Sequence, residues 1–208
     1  MSGSASAWGR RFDPDRLAAL ELRMWKAYYR GQPARLFGLL VLANREQARV
    51  GWARAVLAAF WFARAAYGFA RATSDYQRFE PDIARGYRLL GLPADVDAIA
   101  VARRELRWWV VRREIGIAAG DQAGEAISGL YATLFGLPEA SVAEAGRLRG
   151  QAAEVRDRGA DAALPEAADE GPYWAEVERL LRDSYRSLSA AVTAGAATPT
   201  STSPTRAR

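Results

Sequence analysis

The 208-residue sequence contains no cysteine and no histidine. Without cysteine the chain cannot form a disulfide, a thiol nucleophile or a thiolate metal site. Without histidine it lacks the side chain that most often exchanges protons near neutral pH and most often binds metals. The two absences exclude a Ser-His-Asp triad, a Cys-His dyad and histidine-ligated zinc or haem, and we expect neither a metal nor a cofactor.

Motifs for phosphate, calcium and membrane insertion are missing as well. Neither G-x-x-x-x-G-K nor G-x-G-x-x-G occurs, and there is no Asp-rich calcium loop. The first eleven residues hold no apolar run of the kind that a secretory signal requires. The most apolar stretch, 50–72, is interrupted by Arg54, Arg64 and Arg71, each costing about 2.5–3.5 kcal/mol near a bilayer centre. We therefore predict a cytoplasmic protein without a transmembrane segment.

Positive charge comes almost entirely from arginine, and much of it lies near the ends of the chain. Of the 29 basic residues only Lys26 is a lysine, which together with the many alanines is typical of a GC-rich bacterial genome. The net charge is +5, and four arginines lie in terminal segments without carboxylates, which leaves +1 for the region between. A nearly neutral central region disfavours nucleic acid as a partner.

Apolar residues recur at helical spacing and strand-like alternation is absent, which predicts an all-α protein. We expect an irregular bundle of seven to eight helices forming a single domain, 13–193, with an acidic loop at 159–172. The segments 1–12 and 194–208 are predicted to be disordered tails. Starts and stops place the helices at about 13–30, 33–47, 49–73, 80–91, 97–117, 121–136, 139–158 and 173–192.

The third of these helices is the most apolar. Large hydrophobic side chains surround it instead of lining one stripe. A helix that is apolar all round is expected to be buried on all sides. We therefore predict that it is the central element of the bundle.

A short repeat is the most informative feature of the chain. Glu21–Trp25 reads ELRMW, and Glu105–Trp109 reads ELRWW. Each copy follows an aspartate, Asp13 or Asp97, by eight positions. Asp13 is expected to cap the first helix, and either Asp95 or Asp97 is expected to cap the fifth. If the repeat reflects a duplicated helix pair, the two glutamates should lie within about two helix diameters, ~20 Å, of each other.

Helical phase places both glutamates on the apolar sides of their helices. An ionised carboxylate there is costly unless arginine, tyrosine or a metal satisfies it. The candidate polar pocket consists of Glu21, Tyr28, Arg54, Arg64, Glu105 and Arg112. The candidate pocket aromatics are Trp25, Trp108 and Trp109. Because adjacent helical residues diverge by about 100°, Trp108 and Trp109 are expected to point to different places.

Three interpretations of the glutamates remain open. They can be structural, closed by arginine and tyrosine; they can line a ligand or substrate pocket; or they can form a carboxylate-only metal pair. The bundle resembles the architecture of ferritin-like di-iron proteins, whose signature is Glu-x-x-His on two helices. Trp108 stands where that histidine would be, so the resemblance carries no functional residues. The structural interpretation is favoured.

Two functions from different classes follow. The sequence favours a non-enzymatic domain that binds a protein partner or a small apolar or anionic ligand, and it is compatible with a homo-oligomer. The alternative is a small enzyme or carboxylate–metal protein in which Glu21 or Glu105 is a general acid or base assisted by Arg112 and Tyr28. A cavity beside both glutamates would favour a ligand, whereas closed packing would favour a structural role.

Overall fold

The predicted all-α multi-helix bundle is confirmed. The computed structural model describes residues 12–116, 120–162 and 171–197, with only the backbone of residues 161 and 162. Over these residues the chain forms eight α-helices, one short 3₁₀ helix and no strand. The α-helices are α1 Pro14–Tyr29, α2 Pro33–Ala48, α3 Trp52–Arg71, α4 Glu80–Leu90, α5 Ala98–Ile115, α6 Gly120–Phe135, α7 Glu139–Ala162 and α8 Tyr173–Ala197, and the 3₁₀ helix is Tyr76–Phe79.

Local signals in the sequence account for where several helices begin and end. The side chain of Asp13 caps α1 by accepting the backbone N–H of Asp15 at 3.0 Å. Asp97 caps α5 by accepting the N–H of Ile99 at 2.9 Å. Gly91 ends α4 in the left-handed conformation, with φ 77°. Both copies of the repeat therefore occupy equivalent positions along their helices.

The helices close a ring around two large hydrophobic cores, and a small third cluster lies between α2 and α3. Each helix packs against the next along the chain, and α8 packs back against α1. The first core lies between α1, α2, α6, α7 and α8, and the second lies mainly between α3, α4, α5 and α6. Trp108 of α5 and Phe135 of α6 contact both cores. The junction between the cores therefore runs along α5 and α6.

One side of helix α3 is exposed to solvent, so we call it an edge helix of the bundle. The prediction that it is the central element is wrong. It packs against α2, α4 and the 3₁₀ helix. Its packed side consists largely of alanine, and the fully buried positions are Ala55, Ala58, Ala59 and Ala65. Phe62 and Phe69 also turn inward and pack in the second core, whereas five other large apolar side chains of this helix are exposed. Periodicity could not reveal this, because apolar residues occur on both sides of the helix. In the described part of the chain, no helix has the length and apolar character needed to cross a membrane.

A glycine contact brings α6 and α7 together. A Cβ atom on Gly150 would meet the carbonyl oxygen of Gly120 and would lie 2.6 Å from the nitrogen and 2.8 Å from the Cα of Gly124. A Cβ atom on Gly146 would lie 2.7 Å from the nitrogen of Ser128. Glycine is therefore required where the two backbones approach most closely.

Two helices run past their predicted ends. Helix α7 continues to Ala162 and α8 continues to Ala197, so residues 159–162 of the predicted loop and 194–197 of the predicted tail are helical. Phe12, which was assigned to the N-terminal tail, is buried in the first core. The remainder of the predicted tails, and residues 163–170 of the acidic loop, lie outside the described residues.

Candidate functional site: a buried carboxylate cluster and an exposed helix face

The carboxylate of Glu21 is buried and hydrogen-bonded at both oxygens. Oε1 accepts the Nε and Nη2 groups of Arg149 at 2.8 and 2.6 Å. Oε2 accepts the hydroxyl of Tyr185 at 2.6 Å. Since Arg149 belongs to α7 and Tyr185 to α8, one carboxylate joins three helices. The side chain of Glu21 is 2% exposed, in agreement with the inward orientation expected from helical phase.

Arg149 has further contacts beside its ion pair. Its Nη1 group donates to the hydroxyl of Tyr131 at 3.3 Å, and its guanidinium lies 5.3 Å from the ring centre of Trp108. Burial alone would lower the pKa of Arg149, but the carboxylate of Glu21 raises that pKa well above its usual value. The arginine therefore stays charged inside the bundle and balances the glutamate.

Glu105 accepts hydrogen bonds from three neutral donors. The hydroxyl of Tyr87 donates to Oε2 at 2.9 Å, and the indole N–H groups of Trp108 and Trp109 both donate to Oε1 at 3.1 Å. Residues three and four positions further along a helix flank the first residue, so two large indoles can reach the same oxygen. We expected Trp108 and Trp109 to point to different places. This prediction is wrong, because their N–H groups meet at the same oxygen of Glu105.

The two glutamates belong to one group of contacts. Arg149 pairs with Glu21 at 2.6 Å and lies 5.3 Å from the ring centre of Trp108, whose N–H donates to Glu105 at 3.1 Å. This path keeps the carboxylates within the ~20 Å expected of a duplicated pair, and duplication itself stays a prediction. We call the group the carboxylate cluster; its members are Glu21, Tyr87, Glu105, Trp108, Trp109, Tyr131, Arg149 and Tyr185.

Two of the residues proposed as partners turn away from the glutamates. Arg112 pairs with Asp157 at 2.6 Å and donates to the hydroxyl of Tyr29 at 3.3 Å. It lies seven residues, or about 10 Å, along α5 from Glu105, and the side chain turns toward α7 instead. Tyr28 is 59% exposed and packs edge-on against Tyr29. Both residues lie outside the carboxylate cluster.

The two arginines of α3 also lie outside the cluster, because α3 is an edge helix. The Nε group of Arg54 donates to the carbonyl oxygen of Leu89 at 2.8 Å. Arg64 pairs with Asp82 at 3.0 Å, and its side chain is 55% exposed. Neither residue is therefore a buried charge in need of a glutamate.

The partners that sequence reasoning missed carried a detectable signal. Arg149 follows the buried residues Val142 and Ala145 at helical spacing, so a cation stands in the apolar stripe of α7. Tyr185 lies in the apolar stripe of α8 and was assigned to the core, without a role for its hydroxyl. Trp25, named as a pocket aromatic, is half-buried and packs against the first core.

Glu21 is buried and Glu105 is half-buried, and the protein itself satisfies both carboxylates. Each of the four carboxylate oxygens accepts a hydrogen bond from the protein. Neither glutamate lines the two cavities described; one has no room for water, and the other, of about 390 Å³, lies between α6 and α7. In residues 12–116, 120–162 and 171–197, no three side chains of metal-ligating type come together. The arrangement gives no support to an enzyme or a carboxylate–metal centre. No protein-family model, curated protein or solved structure matches this chain.

The outer side of α3 is the other distinctive feature. Of the seven large hydrophobic residues that are exposed in the described chain, five lie on this helix, with exposures from 41% to 63%. Helical phase puts them on the side opposite the buried alanines. We call these residues the α3 face; they are Trp52, Val56, Leu57, Phe60 and Tyr67. A contiguous exposed apolar surface marks an interaction site far more often than scattered apolar residues do.

Arginines border the α3 face, and carboxylates are scarce near it. The guanidinium of Arg45 lies 3.8 Å from the ring centre of Trp52, and that of Arg71 lies 3.4 Å from the ring centre of Tyr67. Residues 47–74 contain no aspartate or glutamate. Asp82 of α4 is shared by two arginines, Arg64 and Arg85. The surface around the α3 face is therefore positively charged as well as apolar.

The tyrosines of the cluster predict a loss of stability in alkali. Burial raises the pKa of Tyr87, Tyr131 and Tyr185, and a nearby glutamate raises it further in each case. The contribution of each tyrosine to the free energy of unfolding is fully present below its pKa in the unfolded chain, about 10. It is lost as the pH rises toward the higher pKa that the tyrosine has in the folded protein. The free energy of unfolding should then fall by up to ~1.4 kcal/mol per pH unit for each tyrosine.

Urea unfolding at a series of pH values above neutrality measures this slope. The matched variant Tyr185→Phe removes one ionising group from the unfolded chain, so its slope above pH ~10 should be shallower by up to ~1.4 kcal/mol per unit. Equal slopes in the two proteins would show that Tyr185 ionises as readily in the folded state as in the unfolded state.

Proposed function

We propose that this protein is a non-enzymatic docking domain that binds a partner through the α3 face. The observation that carries the proposal is the orientation of α3, which turns its alanines, Phe62 and Phe69 inward and exposes five other large apolar residues. Burying a leucine or phenylalanine side chain is worth about 1.5–3 kcal/mol. A fold that leaves Leu57 and Phe60 half-exposed therefore keeps that free energy available for association.

The carboxylate cluster supports this function as a structural element. Glu21, Arg149 and Tyr185 tie α1, α7 and α8 together, and Glu105 with Tyr87 ties α5 to α4. Since the glutamates are satisfied by the protein itself, a small ligand at the cluster is less well supported than a partner at the surface. The ring of helices then acts as a rigid support for α3.

Site-specific photo-crosslinking tests the proposal in the full chain. Phe60 is replaced by p-benzoylphenylalanine, the protein is irradiated in the producing cells, and the mass of each adduct is measured. We expect a specific adduct from position 60, whose mass distinguishes a protein partner from lipid, because this residue lies in the middle of the α3 face. A control with the same group at Ile115, which is exposed on α5, should give several-fold less.

A second substitution beside the crosslinker distinguishes docking from chance contact, because only a docked partner should make the adduct yield depend on the neighbouring side chain. Leu57→Ser, introduced beside the crosslinker, should reduce the adduct from position 60, because it removes apolar surface from the α3 face. Equal adduct yields from positions 60 and 115, or a yield unaffected by Leu57→Ser, would contradict the proposed docking function.

A further inference from the structure

We infer that the partner of the α3 face is the surface of an anionic lipid bilayer. The inference rests on the proposed docking function and specifies its partner. It combines three observations: the residue types of the α3 face, the distribution of charge over the fold, and the position of α3 at the edge of the ring.

The residues of the α3 face are those that suit the boundary between headgroups and acyl chains. Trp52 and Tyr67 stand near the two ends of the helix, and Val56, Leu57 and Phe60 lie between them. Tryptophan and tyrosine favour this boundary because one end of each ring system is apolar and the other is polar. Arg71 can lay its alkyl chain along the apolar surface and extend its guanidinium toward phosphate.

The segment of the chain that contains α3 carries a surplus of positive charge. Residues 33–90, which include α2, α3 and α4, contain nine arginines and four carboxylates. This surplus of five equals the net charge of the whole chain. Helices α6, α7 and α8 contain ten carboxylates and seven arginines. An anionic surface would therefore attract the side of the fold that carries α3 and repel the side formed by α6–α8.

The shape of the surface also favours a bilayer over a protein helix. Helix α3 packs against α2 and α4 and exposes the side that faces away from them, so the α3 face belongs to one helix and is not a groove between two. Amphipathic helices of partner proteins bind in apolar grooves. A helix at a membrane surface instead lies flat, with its apolar side about 5–10 Å into the boundary region.

A second copy of the chain is disfavoured by charge. A two-fold contact would set the α3 face against itself. It would bring Arg64 and Arg71 toward the same arginines of the other copy; Arg64 is paired with Asp82 of α4, and neither copy of α3 contains a carboxylate. Like charges placed together at an interface oppose association.

Vesicle sedimentation of the full chain tests the inference. The probes are vesicles of phosphatidylcholine alone and vesicles of phosphatidylcholine mixed with phosphatidylglycerol. We expect binding to the anionic vesicles, weaker binding at high salt because the charges are screened, and little binding to neutral vesicles. The double variant Leu57→Ser with Phe60→Ser should reduce the partition coefficient at least about tenfold. Arg71→Gln should reduce it about fivefold.

Two matched variants serve as controls. Ile115→Ser removes an exposed apolar residue from α5, and Arg23→Gln removes an exposed arginine from α1. Both should bind anionic vesicles within about twofold of the parent protein, because neither residue belongs to the α3 face. For Arg23 the effect is further limited, since salt-screened charges act over only ~10 Å. Circular dichroism of all variants should be unchanged, since the substituted side chains are exposed.

The outcomes separate this inference from the docking function on which it rests. Absence of binding to anionic vesicles, or equal binding by the Leu57→Ser, Phe60→Ser double variant, would overturn the membrane inference. If position 60 still gives its specific adduct in that case, the docking function stands with a protein as the partner. A dimer in sedimentation equilibrium that the same double variant dissociates would identify that protein as a second copy. Loss of the adduct and of vesicle binding together would overturn both.

Discussion

Replacing Glu21 with alanine should lower the free energy of unfolding by about 3–5 kcal/mol. The substitution leaves the guanidinium of Arg149 inside the bundle without its carboxylate and leaves the hydroxyl of Tyr185 without an acceptor. An uncompensated buried charge is far more costly than the loss of an exposed ion pair. Urea unfolding followed by circular dichroism measures the difference. Should Glu21→Ala be too unstable to purify, Glu21→Gln, which keeps an acceptor oxygen, gives the same comparison.

Glu105→Ala is the matched comparison. Removing the carboxylate of Glu105 costs three hydrogen bonds from neutral donors and leaves no unpaired cation. We therefore expect a smaller decrease in the free energy of unfolding, about 1–3 kcal/mol. The double variant Glu21→Leu with Arg149→Met removes both charges together, and it should be more stable than Glu21→Ala because no lone charge remains. A Glu21→Ala protein within ~0.5 kcal/mol of the parent would mean that the buried ion pair does not exist in solution.

Replacing Gly150 with alanine should destabilise the protein by about 3 kcal/mol or more. The added methyl group would stand 2.6 Å from the nitrogen and 2.8 Å from the Cα of Gly124, and it would also meet the carbonyl of Gly120. These are backbone atoms of the neighbouring helix, so no side-chain rotation can relieve the overlap. Helices α6 and α7 have to separate, and this also displaces Arg149 on α7 from the carboxylate cluster.

Gly38→Ala is the control for this prediction. Gly38 lies inside α2, and a Cβ atom placed there has nothing within 4 Å. The same substitution should therefore stabilise the protein by about 0.5–1 kcal/mol, since alanine loses less backbone entropy than glycine in a helix. Thermal or urea unfolding measures both variants. If Gly150→Ala were neutral, the close approach of α6 and α7 would be wrong.

The helices and their ends could be predicted because the signals are local. Asp13 and Asp97 cap the helices that they were expected to cap, and both repeat copies begin in the same register. The ends of α7 and α8 were harder to place, because the alanine-rich stretches 160–162 and 194–197, which also contain Asp161 and Gly195, are compatible with a helix or a coil. Both helices extend at least as far as Ala162 and Ala197, where the described residues end.

The candidate site could be predicted only in part. Helical phase alone indicated that Glu21 points inward. It could not name Arg149 or Tyr185, which lie 128 and 164 positions away in the sequence. Periodicity describes one helix at a time, and the choice of partner depends on how α7 and α8 pack against α1. Arg112 and Tyr28 were plausible from α1 and α5 alone, but Arg112 pairs with Asp157 of α7 and Tyr28 is exposed beside Tyr29 of its own helix.

The sequence by itself determined the all-α class, the exclusion of cysteine and histidine chemistry, and the need of an inward glutamate for a partner. These conclusions depend on composition and on short-range spacing, which no packing arrangement alters. Only the tertiary structure decided that Arg149 meets that need and that α3 lies at the edge of the ring. A helix with apolar residues on all sides can be buried at the centre, or it can bury alanines and expose aromatic rings. Its neighbours make that choice, and here they turn the α3 face outward.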